Sequence, residues 1–325
     1  MSAPNLIIGV DIGGTKIAAG LISDNGDLKR SVVVPTLAEG GFKVSLKQVF
    51  AAIGGILSMD GINRRSVKGI GICAPGPLDP TRGIVFNPPN LPGWKNIDIV
   101  SRVKRKFKID ARLENDANAA AMAEMVWGAA RGHKDIFYVT VSTGIGTGII
   151  INEKIYHGKN GMAGEGGHMT INYDDKSAVC GCGQIGCVEA LASGTYTENR
   201  LKEKLKRSPR RKTILRSMTG GDIDKITMRV IARAARKKDE FATQTIKEQG
   251  ELLGVWVGGM ISLLDPEIIV IGGGVSMIGE LIFREIRKSA YCHTINIFAK
   301  KTPIVRAKLK KDSGIFGAAS IFMRK

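Results

Sequence analysis

Residues 6–22, LIIGVDIGGTKIAAGLI, read as an apolar run, a glycine turn and a second apolar run. Short runs of Ile, Val and Leu broken by Gly-Gly are the chemistry of strand, tight turn and strand, because glycine accepts backbone angles that other residues resist. The pattern returns at residues 135–151, DIFYVTVSTGIGTGIII. Laying Asp11-Ile12-Gly13 over Ser142-Thr143-Gly144 aligns both apolar flanks. Two copies of one unit predict an α/β chain of two domains with a cleft between them. The expected division is a small N-terminal α/β domain over 1–116 and a larger one over 117–312. A small-residue helix near 313–325 is expected to cross back to the first domain.

The stretches between the repeats fit that plan. Phe42, Leu46, Val49, Phe50, Ile53 and Leu57 recur at helical spacing, and Val67 to Cys73 is a short buried strand. Residues 87–94, NPPNLPGW, hold three prolines and predict a loop. A helix is expected near 97–107, a strand near 109–114 and an alanine-rich helix over 117–130. A further helix is expected near 281–291. Leu252 to Leu264 is the longest apolar stretch, thirteen residues interrupted by Gly254, Gly258 and Gly259. It is too short to span a bilayer and predicts a buried helix.

Composition sets the class. The chain has 325 residues, 43% hydrophobic and 24% charged, which suits a globular protein. Its formal charge of +18 admits a nucleic acid, an anionic lipid or a phosphorylated substrate as partner. The basic residues lack aromatic interleaving and a helix-turn-helix signature, so they read as solvated helix faces rather than a nucleic-acid module. The N-terminus has no basic region ahead of a long apolar run, and five cysteines are too few for a disulfide scaffold. A cytoplasmic protein that does not enter membranes is expected.

The glycine turns suggest phosphate cradles. Asp11-Ile-Gly-Gly-Thr-Lys16 follows a buried strand, and successive backbone N–H groups without Cβ neighbours can converge on one anion. Thr15 and Lys16 add donors, and Asp11 could hold a phosphate-bound Mg²⁺. Ser142-Thr-Gly-Ile-Gly-Thr147 is a second such turn, and Ile268 to Gly274, IIVIGGG, a third strand running into glycines. A P-loop and a dinucleotide fingerprint are absent in proper context.

Three of the five cysteines crowd into residues 179–189, VCGCGQIGCVE. Thiolates of Cys180, Cys182 and Cys187 with the imidazole of His168, twelve residues upstream, make a closed tetrahedral Zn²⁺ shell. A full shell leaves no position for an activated water, so the ion is expected to be structural. It would fix the loop carrying Glu189 and the turn carrying Glu165. Cys73 and Cys292 read as plain core residues.

The assembled motifs resemble the ROK family of sugar kinases and repressors. They are DIGGTK (11–16), PGPLD (75–79), NLPGW (90–94), END (114–116), STGIGTG (142–148), GEGGH (164–168), CGCGQIGCVE (180–189) and IGGGV (271–275). The NLPGW and cysteine segments are most similar to those of its bacterial-type glucokinases. The resemblance implies two actin-like (ribonuclease-H-like) domains with an interdomain cleft. It implies Asp116 as the base that takes the proton of the attacking sugar hydroxyl. Asn90, Asn115, Glu165, His168 and Glu189 match positions that hold sugar hydroxyls. Asp11, Gly13, Gly14, Thr15, Lys16, Thr143 and Gly144 match the phosphate and Mg²⁺ positions, and Gly273 and Gly274 would flank the adenosine.

The expectation is therefore ATP-dependent phosphorylation of a hexose, glucose first, with fructose, mannose or N-acetylmannosamine as alternatives. Polyphosphate could serve as donor beside ATP. A sugar-sensing regulator is the other class, but Asp11 already lies in the first phosphate turn, ahead of which such regulators carry a DNA-binding module. A homodimer or higher homo-oligomer is expected from the resemblance. The basic Lys202–Arg216 region has no family role and is expected to be an exposed helix or loop.

Overall fold

The computed structural model describes residues 5–60 and 62–323. The chain begins with β1 (Leu6–Ile12), β2 (Lys16–Ser23), β3 (Leu28–Pro35), α1 (Gly41–Leu57) and β4 (Val67–Ala74). Three two-residue strands follow, β5 (Leu78–Asp79), β6 (Ile84–Val85) and β7 (Ile97–Asp98), then α2 (Ile99–Phe107), β8 (Ala111–Asn115) and α3 (Asp116–Val126). Next come β9 (Ile136–Val141), β10 (Ile145–Ile151), β11 (Lys154–Ile155), α4 (Val188–Ala192), α5 (Gly194–Arg207), α6 (Leu215–Met218), α7 (Met228–Arg236) and α8 (Glu240–Leu264). The last elements are β12 (Ile268–Gly272), α9 (Gly273–Ser276), α10 (Glu280–Cys292), β13 (Ile304–Arg306) and α11 (Ser313–Ser320).

Two compact units emerge. The first holds the chain up to Ile136, Gly148–Gly164 and the chain from Lys308 onward; the second holds Phe137–Thr147 and Glu165–Ala307. The first unit is built on a sheet of order β3-β2-β1-β4-β8. β1, β2 and β3 are antiparallel neighbours, while β4 is parallel to β1 and β8 parallel to β4. β1 and β4 are almost continuously apolar because both faces of a central parallel strand are covered. On one face Val49, Ala52, Ile53 and Ile56 of α1 and Val103 and Phe107 of α2 join the strands in one large core. On the other face lies α11, with Ile315, Phe316 and Ala319 packed against Ile7, Ala18 and Ile22. That approach needs glycine on the strands. A Cβ on Gly9 or Gly71 would run into the carbonyl oxygens of Ile315 and Ala318.

The second sheet has the order β11-β10-β9-β12-β13. In the second unit Phe137 of β9 packs edge-on to Trp256 of α8, ring centroids 5.6 Å apart. The apolar stretch at 252–264 is helical as the sequence predicts, but α8 starts at Glu240, where Asp239 caps it by accepting from Ala242 N–H at 2.8 Å. Its first half is amphipathic, with Gln244 exposed, Lys247 half-buried and Glu248 paired with Lys204 at 2.7 Å. Such a half shows no continuous apolar run. The helix predicted over 117–130 ends at Val126, where the buried Glu124 carboxylate accepts from Ala129 N–H at 2.6 Å in place of a helical carbonyl. The Lys202–Arg216 region forms the end of α5, an exposed loop and the start of α6. Cys292, expected in the core, is instead exposed, because it is the last residue of α10 and lies beyond the face that the helix buries. Among the described residues no helix is long and apolar enough to cross a membrane.

Candidate active site

The first glycine turn is closed by its own backbone and by Thr36, the residue after β3. Gly13 N–H donates to Lys16 O at 3.0 Å, and Thr36 Oγ1 donates to Gly13 O at 2.6 Å. Thr15 and Lys16 stand exposed at its tip, and Asp11 is half-buried at the end of β1. In the parallel register Asp11 faces Cys73 of β4, whose Sγ lies 3.4 Å from Oδ1. Burial pushes the Asp11 carboxyl above its ordinary value, against the pull of the thiol hydrogen bond and Lys16. Burial, reinforced by the carboxylates of Asp11 and Asp116, holds Cys73 well above a normal thiol, so it stays a neutral donor. Cys73 lies in the core as the sequence predicts, and there it is also a partner of Asp11.

Asn90 lies over the same turn. A Cβ on Gly14 would sit 2.8 Å from Asn90 O and 3.1 Å from its Cβ. The exposed Asn90 is held by fully buried neighbours, Leu91 and Trp94, with Trp94 Nε1 donating to Ser45 Oγ at 2.7 Å.

β8 delivers Asn115 and Asp116 to the start of α3. The N-cap is Asn115: its Oδ1 accepts from Ala117 N–H at 2.9 Å and Asn118 N–H at 3.3 Å. Its amide nitrogen lies beside Gly76, 3.5 Å from where a Cβ on that glycine would stand. Asp116 is the first helical residue, exposed, with Oδ1 2.8 Å from Ala117 N. A carboxylate in this first turn of α3 sits in the favourable field of the helix N-terminus.

In the second unit the other glycine turn is tight as well, with Ser142 N–H donating to Gly144 O at 2.9 Å. Thr143 is exposed and Gly144 half-buried. Glu189, on α4, accepts from Ile145 N–H at 2.8 Å, and a Cβ on Gly144 would sit 2.6 Å from the Glu189 carboxylate. Gly273 (φ +79°) packs on the Val141 backbone, with Gly274 beside Ser142 Oγ. Thus Thr143, Gly144, Glu189, Gly273 and Gly274 cluster around one turn.

The four predicted ligands also converge. One donor atom from each of His168, Cys180, Cys182 and Cys187 lies within 4.8 Å of the others. His168 Nδ1 is 3.5 Å from Cys180 Sγ, and Cys182 Sγ is 3.7 Å from Cys187 Sγ. Sulfurs about 3.8 Å apart are what a tetrahedral ion with Zn–S bonds near 2.3 Å requires. The other imidazole nitrogen, Nε2, is 4.0 Å from Glu165 Oε2, beyond hydrogen-bond reach. Without metal, burial pushes the Cys187 thiol up to about 12. Cys180 Sγ lies 3.7 Å from Glu189 Oε1, so the sulfur cluster and the carboxylate share one wall.

Sequence reasoning gave Glu114 and His157 no role, although Glu114 stands inside the quoted END motif. Only the fold reveals that their side chains meet, 43 positions apart, at 2.9 Å.

Similar proteins match this chain over most of its length. The ROK family profile matches residues 7–325. The glucokinase of Thermotoga maritima is 33% identical over 315 residues, covering 97% of this chain and 96% of that protein. The crystal structure of a ROK family glucokinase from Streptomyces griseus in complex with glucose and AMPPNP superposes with a TM-score of 0.82 at 35% identity, covering 97% of this chain and 98% of that one. The xylose repressor of Caldicellulosiruptor bescii is 35% identical over 224 residues, 69% of this chain and 54% of the repressor. The motif order, the α/β architecture and this similarity along nearly the full length converge: the chain belongs to the ROK family and has its two-domain actin-like fold.

Proposed function

We propose that the protein is an ATP-dependent hexose kinase whose preferred reaction converts glucose to glucose 6-phosphate. The observation that carries this reading is the junction of β8 and α3. There Asn115 caps α3, and the next residue, Asp116, presents an exposed carboxylate at the first position of the helix. The similarity to glucokinases over nearly the whole chain supports the same reading.

In the proposed reaction the sugar 6-hydroxyl oxygen bonds to the γ-phosphorus of ATP as the bond to the bridging oxygen breaks, and ADP leaves. Asp116 accepts the hydroxyl proton. Phosphoryl transfer proceeds through a loose transition state, so positioning and charge neutralisation supply most of the acceleration and the proton can move late. Asn90, the Asn115 amide, Glu165, His168 and Glu189 would read the sugar. A hexose presents only hydroxyls, and carboxylates and amides pair with those. An epimer that leaves one such group unpaired binds poorly. The N–H groups of the turns at Gly13–Thr15 and Thr143–Gly144, with Lys16, would cradle the phosphates, and Gly273 and Gly274 would flank the adenosine. Asp11 would hold the nucleotide's Mg²⁺, which supplies neutralising charge at the phosphates. Zn²⁺ would be held by His168, Cys180, Cys182 and Cys187 and contributes loop rigidity.

A coupled assay with ATP across glucose, mannose, fructose and N-acetylmannosamine tests the reading. Glucose should give the highest kcat/KM, and no turnover on any hexose would overturn it. The regulator reading draws on the +18 charge and the repressor similarity. Sequence-selective DNA binding that survives physiological salt would favour it instead.

A further inference from the structure

We propose that Glu114 and His157 are positioning residues that hold the β8–α3 junction, and through it Asp116, in register for proton transfer. The proposal rests on the reading of Asp116 as the base. Glu114 is an acid with only 4% of its surface exposed. A carboxylate so placed is tolerable only when its oxygens are well paired. Oε1 accepts from Asn115 N–H at 3.0 Å and from Asn118 Nδ2 at 3.1 Å, and Oε2 pairs with His157 Nε2 at 2.9 Å.

Those partners belong to the catalytic junction. Asn115 caps α3, and Asn118 lies in its first turn. Asn118 Oδ1 is buried without a hydrogen-bond partner, so the bond to Glu114 is what orients this amide. Glu114 therefore ties the end of the strand to the first turn of the helix, on either side of Asp116. His157, two residues beyond β11 and in the same unit as Glu114, is the group that keeps the second carboxylate oxygen paired.

Both side chains line a cavity of about 520 Å³, together with Ser101, Lys104 and Arg112. That space sets the response to truncation of His157. Water enters, Oε2 is free to turn toward it, and the grip of Oε1 on the junction loosens. The same space is large enough for a free imidazole molecule, which offers the lost donor.

The experiment compares His157→Ala, His157→Gln and wild type in the full chain. His157→Ala should lower kcat about 10- to 100-fold, the effect of moving a reacting group by about 1 Å, while KM for hexose and ATP stays within about threefold. His157→Gln, which keeps an N–H toward Oε2, should recover kcat to within about threefold of wild type, and added imidazole should raise the kcat of His157→Ala severalfold. Hydrogen exchange of the peptide spanning residues 111–121 should quicken in His157→Ala and slow again with imidazole. An unchanged kcat in His157→Ala would overturn the proposal. So would a loss that neither glutamine nor imidazole restores, because that pattern belongs to a general packing defect. Should wild type phosphorylate no hexose, the functional reading fails, and the exchange data still decide whether His157 holds the junction.

Discussion

Asp116 in the first unit and Glu189 in the second are both carboxylates at the start of a helix, yet their supports are of different kinds. Asp116 follows β8, whose Ala111 and Leu113 are part of the large core of the first unit. Continuous apolar strands, a sheet register and an Asn115 cap locate it. Glu189 follows residues 165–187, which hold a single 3₁₀ turn and two isolated bridges. The local cluster there is small: Ala178, Cys180, Cys187, Ala190 and Leu191. Hydrophobic burial supplies roughly 25 cal/mol per Å² of apolar surface, and a glycine-rich loop has little such surface to bury. The first carboxylate stands on a strand–helix junction backed by a large apolar core, whereas the second stands beside a small cluster and the donor atoms of His168, Cys180, Cys182 and Cys187, which lie within 4.8 Å of one another.

The largest expected effect tests the first half of that contrast. Asp116→Asn should lower kcat about 10³-fold or more, within the range of a lost general base, while the melting temperature moves by less than about 2 °C. Steady-state kinetics beside calorimetry check this. Robust turnover would mean that Asp116 is not the base.

The second half predicts an opposite signature. Chelation of the metal, or Cys182→Ser, should release zinc, measured by elemental analysis, and raise KM for the hexose at least about tenfold. Native glucose affinity in a zinc-free protein would erase the proposed difference between the two supports.

A smaller perturbation sharpens the same point from the other side of Glu189. Gly144→Ala places a Cβ 2.6 Å from the carboxylate that Ile145 N–H holds. Because one end of a side chain can swing aside, the Kd for glucose should rise about three- to tenfold with zinc content unchanged. Isothermal titration with glucose and metal analysis on the same sample check it.

The smallest effect comes from a pair that neither support needs. Hydrogen bonding to Lys104, 2.7 Å away, holds Asp110 below the usual carboxylate range, and both side chains are about half exposed. A depressed folded-state value means that the stabilisation is present above the unfolded carboxylate value and disappears as pH falls through the folded one. Discounted for solvent screening, Asp110→Asn should cost less than about 1 kcal/mol at pH 7, and the cost should shrink as pH falls below the ordinary carboxylate range in denaturant titrations.

Much of this chain could be read locally. An apolar run broken by Gly13-Gly14 marked β1–β2, one broken by Ser142-Thr143-Gly144 marked β9–β10, and helical spacing marked α1. The ligand quartet was visible because three of its members lie within eight residues, so chain geometry alone keeps the sulfurs near one another. The start of α8 and the short strands β5–β7 were not visible, since an amphipathic half-helix and two-residue strands carry too little pattern.

What the sequence determined by itself was the set of short-range structures and the donor atoms they carry, because strand, turn and ligand spacing depend on neighbours a few residues apart. What only the tertiary structure decided was which distant groups meet. Cys73 reaches Asp11 across 62 positions, Glu114 reaches His157 across 43, and α11 lies on Gly9 and Gly71. The physical reason is that such meetings follow from strand order and parallel register, which are set by the burial of whole faces and leave no trace in any single stretch of residues.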